Sequence, residues 1–292
     1  MEVHCEGCAG CCIDWRPLRA DDARAVEHER RGPREPLDDA YNLVPLTRDE
    51  VRAFLEAGLS DALTPRLWAA EEDDAAAEID GQAVATIAGR PAFFVGLRTP
   101  PKPVAPFGRD RERWLETCTF LDPTTLQCRI HGDELFPDEC RAYPAYNLAL
   151  EQETECERVE RVFGGERLRE DDPGQTDGLL LGRGAVGGKV FVHPRPDDLE
   201  GVVSRIARGD LTDADRAEFV AVAAASSPGT LAISEHHYEQ ARERVLETDS
   251  WAGRAVREWQ RRDAAGEEPE ADLAVRLEDA RGAPGTPGWD GR

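Results

Sequence analysis

The sequence predicts an α+β protein in which a small metal-stabilised cysteine-cluster domain carries a helical C-terminal extension. Three observations lead there: eight cysteines gathered in two segments, strand-like runs between those segments, and helical periodicity after Pro196. A chain of 292 residues is long enough for one large domain or two modest ones. The expected division is residues 1–164 as the cysteine-cluster domain, with an insertion at about 30–110. Residues 165–281 follow as a mostly helical region behind a glycine-rich segment, and 282–292 have the composition of a disordered tail.

Each element has a local reason. Arg30 to Asp39 is rich in charge and proline and reads as a loop. Thr47-Arg48-Asp49-Glu50 is a capping box, with Thr47 as N-cap and Glu50 three positions on. The helix after it, with Val51, Phe54 and Leu55 apolar, should stop at Gly58. Ala83–Ala88 and Ala92–Leu97 read as strands joined by Gly89-Arg90-Pro91, and Pro100–Pro106 as a proline-rich connector. Cys118–Leu121 and Gln127–His131 look like hairpin strands. A loop of Pro123 to Leu126 would set His131 opposite Cys118, whereas one more loop residue would put Cys128 on the face of Cys118. Asp171–Gly188 is rich in glycine and charge, and a short strand is expected at Lys189–His193. Helices are expected at Asp197–Arg208, Asp213–Ala225, Glu235–Glu247, Trp251–Arg262 and Glu270–Arg281, with Asp210 or Thr212, Ser234 and Ser250 as N-caps.

Composition narrows the function. Against 59 acidic residues stand 36 basic ones, a formal charge of −23, and only Lys102 and Lys189 are lysines. Such self-repulsion weakens a compact state in dilute buffer. At molar salt the Debye length falls to about 3 Å and the repulsion is screened, so the composition fits a protein made for a halophile's salt-rich cytoplasm. Nucleic-acid binding is disfavoured, because affinity for phosphate backbones is mostly electrostatic. The run Phe219–Ala225 is too short to span a bilayer, and Met1-Glu2-Val3-His4-Cys5 has no apolar signal core. The expectation is a cytoplasmic protein with reduced thiols and no membrane or nucleic-acid partner. Its oligomeric state is left open.

Eight cysteines in such a protein point to metal ligation. Cys5, Cys8 and Cys11 are spaced C-x2-C-x2-C, with Cys12 immediately after. The intervening Gly7 and Gly10 let the backbone curl so that the sulfurs converge. Three cysteines at this spacing are what ferredoxin-type runs supply to a four-iron cluster. Adjacent residues such as Cys11 and Cys12 rarely reach one metal together, so one of them serves a second metal or stays a buried thiol. Cys118, Cys128, Cys140 and Cys156 are dispersed, which favours one tight arm with remote ligands over paired zinc knuckles. An iron–sulfur centre, preferably 4Fe–4S, is the favoured cofactor, with zinc as the alternative.

These motifs resemble the YkgJ-type cysteine-cluster family, whose members are described as zinc- or iron-chelating. The resemblance is carried by Cys5, Cys8, Cys11 and Cys12; by Cys118-Thr119-Phe120-Leu121; by Cys128-Arg129-Ile130; and by Pro137-Asp138-Glu139-Cys140-Arg141-Ala142-Tyr143-Pro144. It covers the two cysteine segments and neither the insertion nor the chain after about Gly164. His131 stands where the family has tyrosine, Phe136 where it has arginine, and the stretch from Cys128 to Cys140 is longer than the family pattern. Arg141 remains, either to hydrogen-bond cluster sulfur as a cofactor-binding residue or to form a surface ion pair. The resemblance implies metal chelation. Some relatives are labelled iron–sulfur oxidoreductases, and others are associated with lysine methylation of flagellin. No catalytic motif stands out, and three functions follow: an iron–sulfur protein with redox, sensing or maturation duties, a structural zinc module that binds a protein partner, and a metal-dependent protein-modifying enzyme.

Other motifs are weaker. Gly182-Arg183-Gly184-Ala185-Val186-Gly187 matches a dinucleotide fingerprint, but a strand-like run ending in Pro194 follows where a helix should open, so it reads as a turn. His236 and His237 are adjacent on a helix and read as a solvated face. His4 is a better neighbour for a metal, as a partner of a ligand rather than a ligand. Trp251 and Trp259 read as packing residues.

Overall fold

In a computed structural model, residues 2–21, 36–38, 40–71, 75–173, 185–270 and 272–288 are described, and they form a mixed α+β protein of helices and antiparallel sheets. In chain order the elements begin with β1 (Glu2–Val3), α1 (Arg48–Glu56), β2 (Leu63–Leu67), β3 (Ala76–Ile79), β4 (Gln82–Ile87) and β5 (Arg90–Leu97). β6 (Pro101–Val104), β7 (Arg113–Glu116), α2 (Asp138–Ala142), α3 (Ala145–Ala149), α4 (Glu155–Phe163), β8 (Leu168–Glu170) and β9 (Phe191–Val192) follow. The chain continues with α5 (Val202–Ala207), α6 (Asp213–Ala225), α7 (Glu235–Glu247), α8 (Trp251–Ala264) and α9 (Leu273–Leu277). None of the helices among the described residues is long and apolar enough to cross a membrane.

The chain divides into two compact units, and the division is not the linear one expected. Unit 1 comprises 1–27, 98–180 and 251–292, and unit 2 comprises 28–97 and 181–250. The insertion therefore folds with part of the C-terminal region, while the last helices belong with the cysteine segments. The reason is strand pairing across the sequence: β9 pairs antiparallel with β5, placing Ala92 beside Val192 and Phe93 beside Phe191.

Unit 2 is a sheet in the order β2-β5-β4-β3, with β9 added on β5. Its tight turns use residues with positive φ, Asp80-Gly81 (55° and 74°) and Ala88-Gly89 (52° and 74°), the pair that a two-residue hairpin needs to match strand twist. Ile79 accordingly faces Gln82, and Ile87 faces Arg90. α6 packs on β2, β5 and β9 and against α1 and α7. Residues Phe219 to Ala225 are buried throughout, and the Phe93 ring meets Phe191 at 5.6 Å and Phe219 at 4.9 Å. Behind this core His193 is fully buried, with Nδ1 2.9 Å from the Arg195 carbonyl and Nε2 3.1 Å from Glu218 Oε1. Tyr238 donates to the other Glu218 oxygen.

Unit 1 has two small sheets, β1-β8 and β6-β7, and a C-terminal core of Ala255, Trp259, Leu273 and Leu277 with Trp114 and Trp251 packed on it. The segment expected to be a connector is strand β6, because its prolines lie on a two-stranded ribbon where missing donors cost little. β6 carries Lys102 into the interior. Its ammonium donates to the carbonyls of Thr119 and Leu121 at 2.7 Å each and pairs with Glu278 at 2.6 Å. Arg129 reaches the same carboxylate at 3.0 Å and also Asp122 at 3.1 Å, and Trp259 Nε1 donates to Glu278 at 3.0 Å. Lys102 and Glu278 are 1% and 0% exposed at their side chains, so this is a desolvated ionic knot rather than a surface pair.

Several expected elements are shorter than their sequence patterns. The helix after Pro196 becomes a 3-10 turn and α5, separated at Gly201 with φ 75°. The last helix contracts to α9 followed by a 3-10 turn at Asp279–Arg281. Cys118–Leu121 and Gln127–His131 are not strands. The Leu121–Cys128 bridge has the register with loop Pro123–Leu126, but the Cys118 N–H turns away to the carbonyl of Cys12 and the ladder ends. Residues 30–35, 39, 174–184 and 289–292 of the expected loops and tail lie outside the described residues, as do Gly182, Arg183 and Gly184 of the glycine motif. Its described remainder is a tight turn, with Val190 N–H bonded to the Ala185 carbonyl at 2.7 Å.

Candidate metal centre

The N-terminal arm curls as its spacing demands. Cys8 N–H bonds to the Cys5 carbonyl at 3.0 Å, Ala9 takes a left-handed φ of 53°, and a 3-10 turn, Gly10–Cys12, closes with Cys12 N–H on the Ala9 carbonyl at 2.8 Å. Gly10 allows this turn to press on α4. A Cβ there would sit 2.7 Å from Val159 Cγ2, so a side chain would force the arm off the helix. α4 carries Cys156 one helical turn before Val159. It starts where it does because Thr154 and Glu157 form a capping box, a T-x-x-E signal present in the sequence itself.

The other cysteines arrive by long-range backbone pairing. Ile13 bridges Thr117, and Cys118 N–H bonds to the Cys12 carbonyl at 2.8 Å, which sets these two cysteines side by side. Leu121 N–H bonds back to the Cys118 carbonyl at 3.0 Å, and the Leu121–Cys128 bridge carries the chain to Cys128. Cys140 lies on α2. Tyr143 directly after α2 accepts the Glu155 N–H at 2.5 Å on its hydroxyl, tying α2 to the start of α4.

All eight cysteines are thiols; Cys8 and Cys156 are buried, while Cys5 and Cys11 reach the surface. Electrostatic contact runs through the whole set, with Cys11 in the middle. Cys156 is influenced by Cys11, Cys8 and Cys5, Cys12 by Cys11, Cys118 and Cys140, and Cys140 by Cys118, Cys11 and Cys128. Burial pushes the thiols of Cys8, Cys118, Cys140 and Cys156 up, and the neighbouring sulfurs add to it. Cys11 and Cys12 lie 3.8 Å apart, and their hydrogen bond lowers Cys11 and raises Cys12. Without a cation, one more thiolate here is repelled by the next.

Among the described residues, no group of three or more His, Cys, Asp or Glu side chains is arranged to hold a metal ion as it stands. The thiols thus influence one another electrostatically without ligand geometry. The donor chemistry nevertheless fits a soft metal. Nearby carboxylates are engaged elsewhere: Glu155 accepts from Trp15 Nε1 at 3.0 Å and pairs with Arg158 at 2.6 Å, and Glu160 accepts the Leu168 N–H at 2.8 Å. Sulfur is left as the donor, which suits zinc and iron–sulfur clusters and not the hard cations.

Arg141 is placed on the outer face of α2, 55% exposed, 3.7 Å from Asp138 and over the Phe136 ring. That is the surface ion pair of the two roles considered for it. The positive charges that act on the thiols are instead Lys102, on Cys118, and Arg167, on Cys8. Neither was singled out in the sequence, although Lys102 is one of only two lysines in the chain. His4 enters through its backbone, its N–H on the Arg167 carbonyl at 2.7 Å, and His236 and His237 are exposed on α7. Trp259 is fully buried and Trp251 packs edge-on against Phe120, as packing residues should.

A family model described as a family of unknown function, DUF7531, matches residues 1–290. No curated protein and no solved structure matches the chain.

Proposed function

The chain belongs to that family of unknown function, and from its own residues we propose that it is a cytoplasmic metal-binding protein of a halophile whose cysteine cluster holds an iron–sulfur centre. The observation that carries this reading is the backbone pairing that seats Cys118 beside Cys12 of the curled arm, within a set of thiols from Cys5 to Cys156 that influence one another. Thiols driven up by burial and by each other pack as weakly polar groups, and a metal would release their protons and neutralise the thiolates. The C-x2-C-x2-C arm and the resemblance to the YkgJ-type family support the same chemistry.

Cys5, Cys8, Cys11, Cys12, Cys118, Cys128, Cys140 and Cys156 are the residues that would hold the metal. The group would supply one-electron chemistry or a redox-sensitive structural tie. Lys102 and Arg167 would offset negative charge beside it. In this reading unit 1 is the metal-stabilised domain, and its metal substitutes for part of an apolar core.

Protein purified anaerobically in molar salt should be brown, with charge-transfer absorption and matching iron and acid-labile sulfide. A colourless protein holding only zinc would replace the iron–sulfur centre with a structural zinc module. Metal content left untouched by both Cys5→Ser and Cys140→Ser would overturn the cluster altogether.

A further inference from the structure

Consecutive side chains normally diverge, alternating across a strand or fanning around a helix. At Cys11 and Cys12 they do not. Both lie in the 3-10 turn Gly10–Cys12, and their sulfurs sit against each other at 3.8 Å. The turn is held on both sides: Cys12 N–H bonds to the Ala9 carbonyl at 2.8 Å, and the Cys12 carbonyl receives the Cys118 N–H at 2.8 Å. The next residue, Ile13, bridges Thr117. Access differs within the cysteine set as well. Cys11 is exposed and Cys12 half-buried, whereas Cys8 and Cys156 are buried. A reagent arriving from solvent therefore meets Cys11 with a second thiol already beside it.

We propose that Cys11 and Cys12 form a redox-active dithiol, closed to a disulfide by a hydroperoxide and reopened by a dithiol reductant. With hydrogen peroxide, the exposed Cys11 sulfur attacks as thiolate and the O–O bond breaks. Cys11 becomes a sulfenic acid, and the departing hydroxide takes up the thiol proton as water. The Cys12 sulfur then attacks the Cys11 sulfur, so that the S–S bond forms, the S–O bond breaks and a second water leaves. Two thiols lose two electrons and two protons, and the peroxide is reduced to two waters. A resolving thiol in contact intercepts the sulfenic acid before the irreversible sulfinic step. The product is strained, because Cα atoms about 3.8 Å apart across a trans peptide fall short of the usual disulfide separation of about 4.4–6.8 Å. Strain makes a disulfide more reducible, which suits a reversible switch rather than a structural cross-link. The proposal does not rest on metal binding. The two uses of these sulfurs compete, since the thiolate is the metal ligand and a disulfide removes it.

The test uses the full chain, purified anaerobically in molar salt and assayed for metal. It is treated with one equivalent of hydrogen peroxide, denatured, blocked with iodoacetamide, and mapped by tandem mass spectrometry. The N-terminal peptide should be lighter by two hydrogens, with Cys11 and Cys12 unalkylated and Cys5 and Cys8 alkylated. A dithiol reductant added before blocking should return Cys11 and Cys12 to alkylation. Alkylation of both without reductant, a disulfide from either to Cys5, Cys8 or Cys118, or sulfinic acid at Cys11 overturns the proposal. Cys12→Ser should stop at the sulfenic acid of Cys11, which dimedone captures, and a folded variant without that adduct also overturns it. Should Cys12→Ser fail to fold, the wild-type map decides alone. The metal assay keeps this result apart from the metal reading. A Cys11–Cys12 disulfide in a chain that held no metal overturns metal binding alone, and bound metal with both thiols still alkylated overturns the dithiol alone.

Discussion

At the middle of unit 2, the rings of Phe93, Phe191 and Phe219 meet beneath a helix that is buried over its last seven residues. In the interior of unit 1, Lys102 and Arg129 share the carboxylate of Glu278, and Lys102 also donates to the carbonyls of Thr119 and Leu121. Unit 2 excludes water with apolar area, the dominant favourable term in folding. Unit 1 buries charge and sulfur, which stabilise only when every partner is in place. The two units of one acidic chain should therefore fail in different ways, one gradually as area is lost and the other abruptly as a partner is lost.

If unit 1 holds metal as proposed, removing it should separate them most. Chelation of loaded protein should abolish amide-exchange protection across residues 113–163 and leave 63–97 and 213–225 protected. Structural zinc in small fingers contributes about 10–16 kcal/mol, so the loss in unit 1 should be near total. Equal loss in both units would break the comparison. Next, Phe219→Ala should cost unit 2 about 3–5 kcal/mol in denaturant unfolding while metal content holds. Glu278→Gln should cost unit 1 about 3–5 kcal/mol by leaving the buried Lys102 with a neutral partner and Arg129 with Asp122 and Asp279 alone, measured by the same titration. A cost below about 1 kcal/mol would mean that the knot is solvated.

Acid should sharpen the contrast from the other side. Burial works against the Glu218 carboxylate, yet hydrogen bonds from His193 and Tyr238 and the charge of Arg195 hold it at about 2, below its ordinary 4.5. A carboxyl lowered on folding stabilises above its ordinary pKa, and that stability is lost as pH falls from about 4.5 towards 2. Unit 2 should therefore weaken in this window, and Glu218→Gln should flatten the slope. The smallest effect expected is Gly10→Ala, about 1–3 kcal/mol from pushing the arm off Val159, seen as a lower thermal midpoint of unit 1.

Local signals were legible where they are self-contained. α6 and α7 occupy Asp213–Ala225 and Glu235–Glu247 as expected, because Thr212 and Ser234 cap them within one turn. The Thr47–Glu50 box and the strand pair ending at Leu97 are of the same kind. Asp80-Gly81 is an equally self-contained hairpin signal, setting Ile79 opposite Gln82. What could not be read is what distant residues decide together. Nothing near Lys189 says that β9 will join β5, and that single pairing reassigns the insertion and most of the C-terminal helices to one unit. In the candidate centre the arm's spacing was legible, whereas the seat of Cys118 beside Cys12 depends on the Ile13–Thr117 bridge. Lys102 was hidden by its prolines, which suggested a connector and not a strand reaching inward.

The three-piece layout of unit 1, residues 1–27, 98–180 and 251–292, also sets a timetable. Ribosomes add about 5–20 residues each second and domains fold as they are completed. Cys5 to Cys12 leave the exit tunnel long before Cys156, and Glu278 emerges well after Lys102 and Arg129. During that interval the nascent arm is a run of open thiols, vulnerable to oxidants and to whichever metal arrives first. If the cluster holds metal as proposed, loading belongs after the segment that carries Glu278 has emerged and met Lys102 and Arg129.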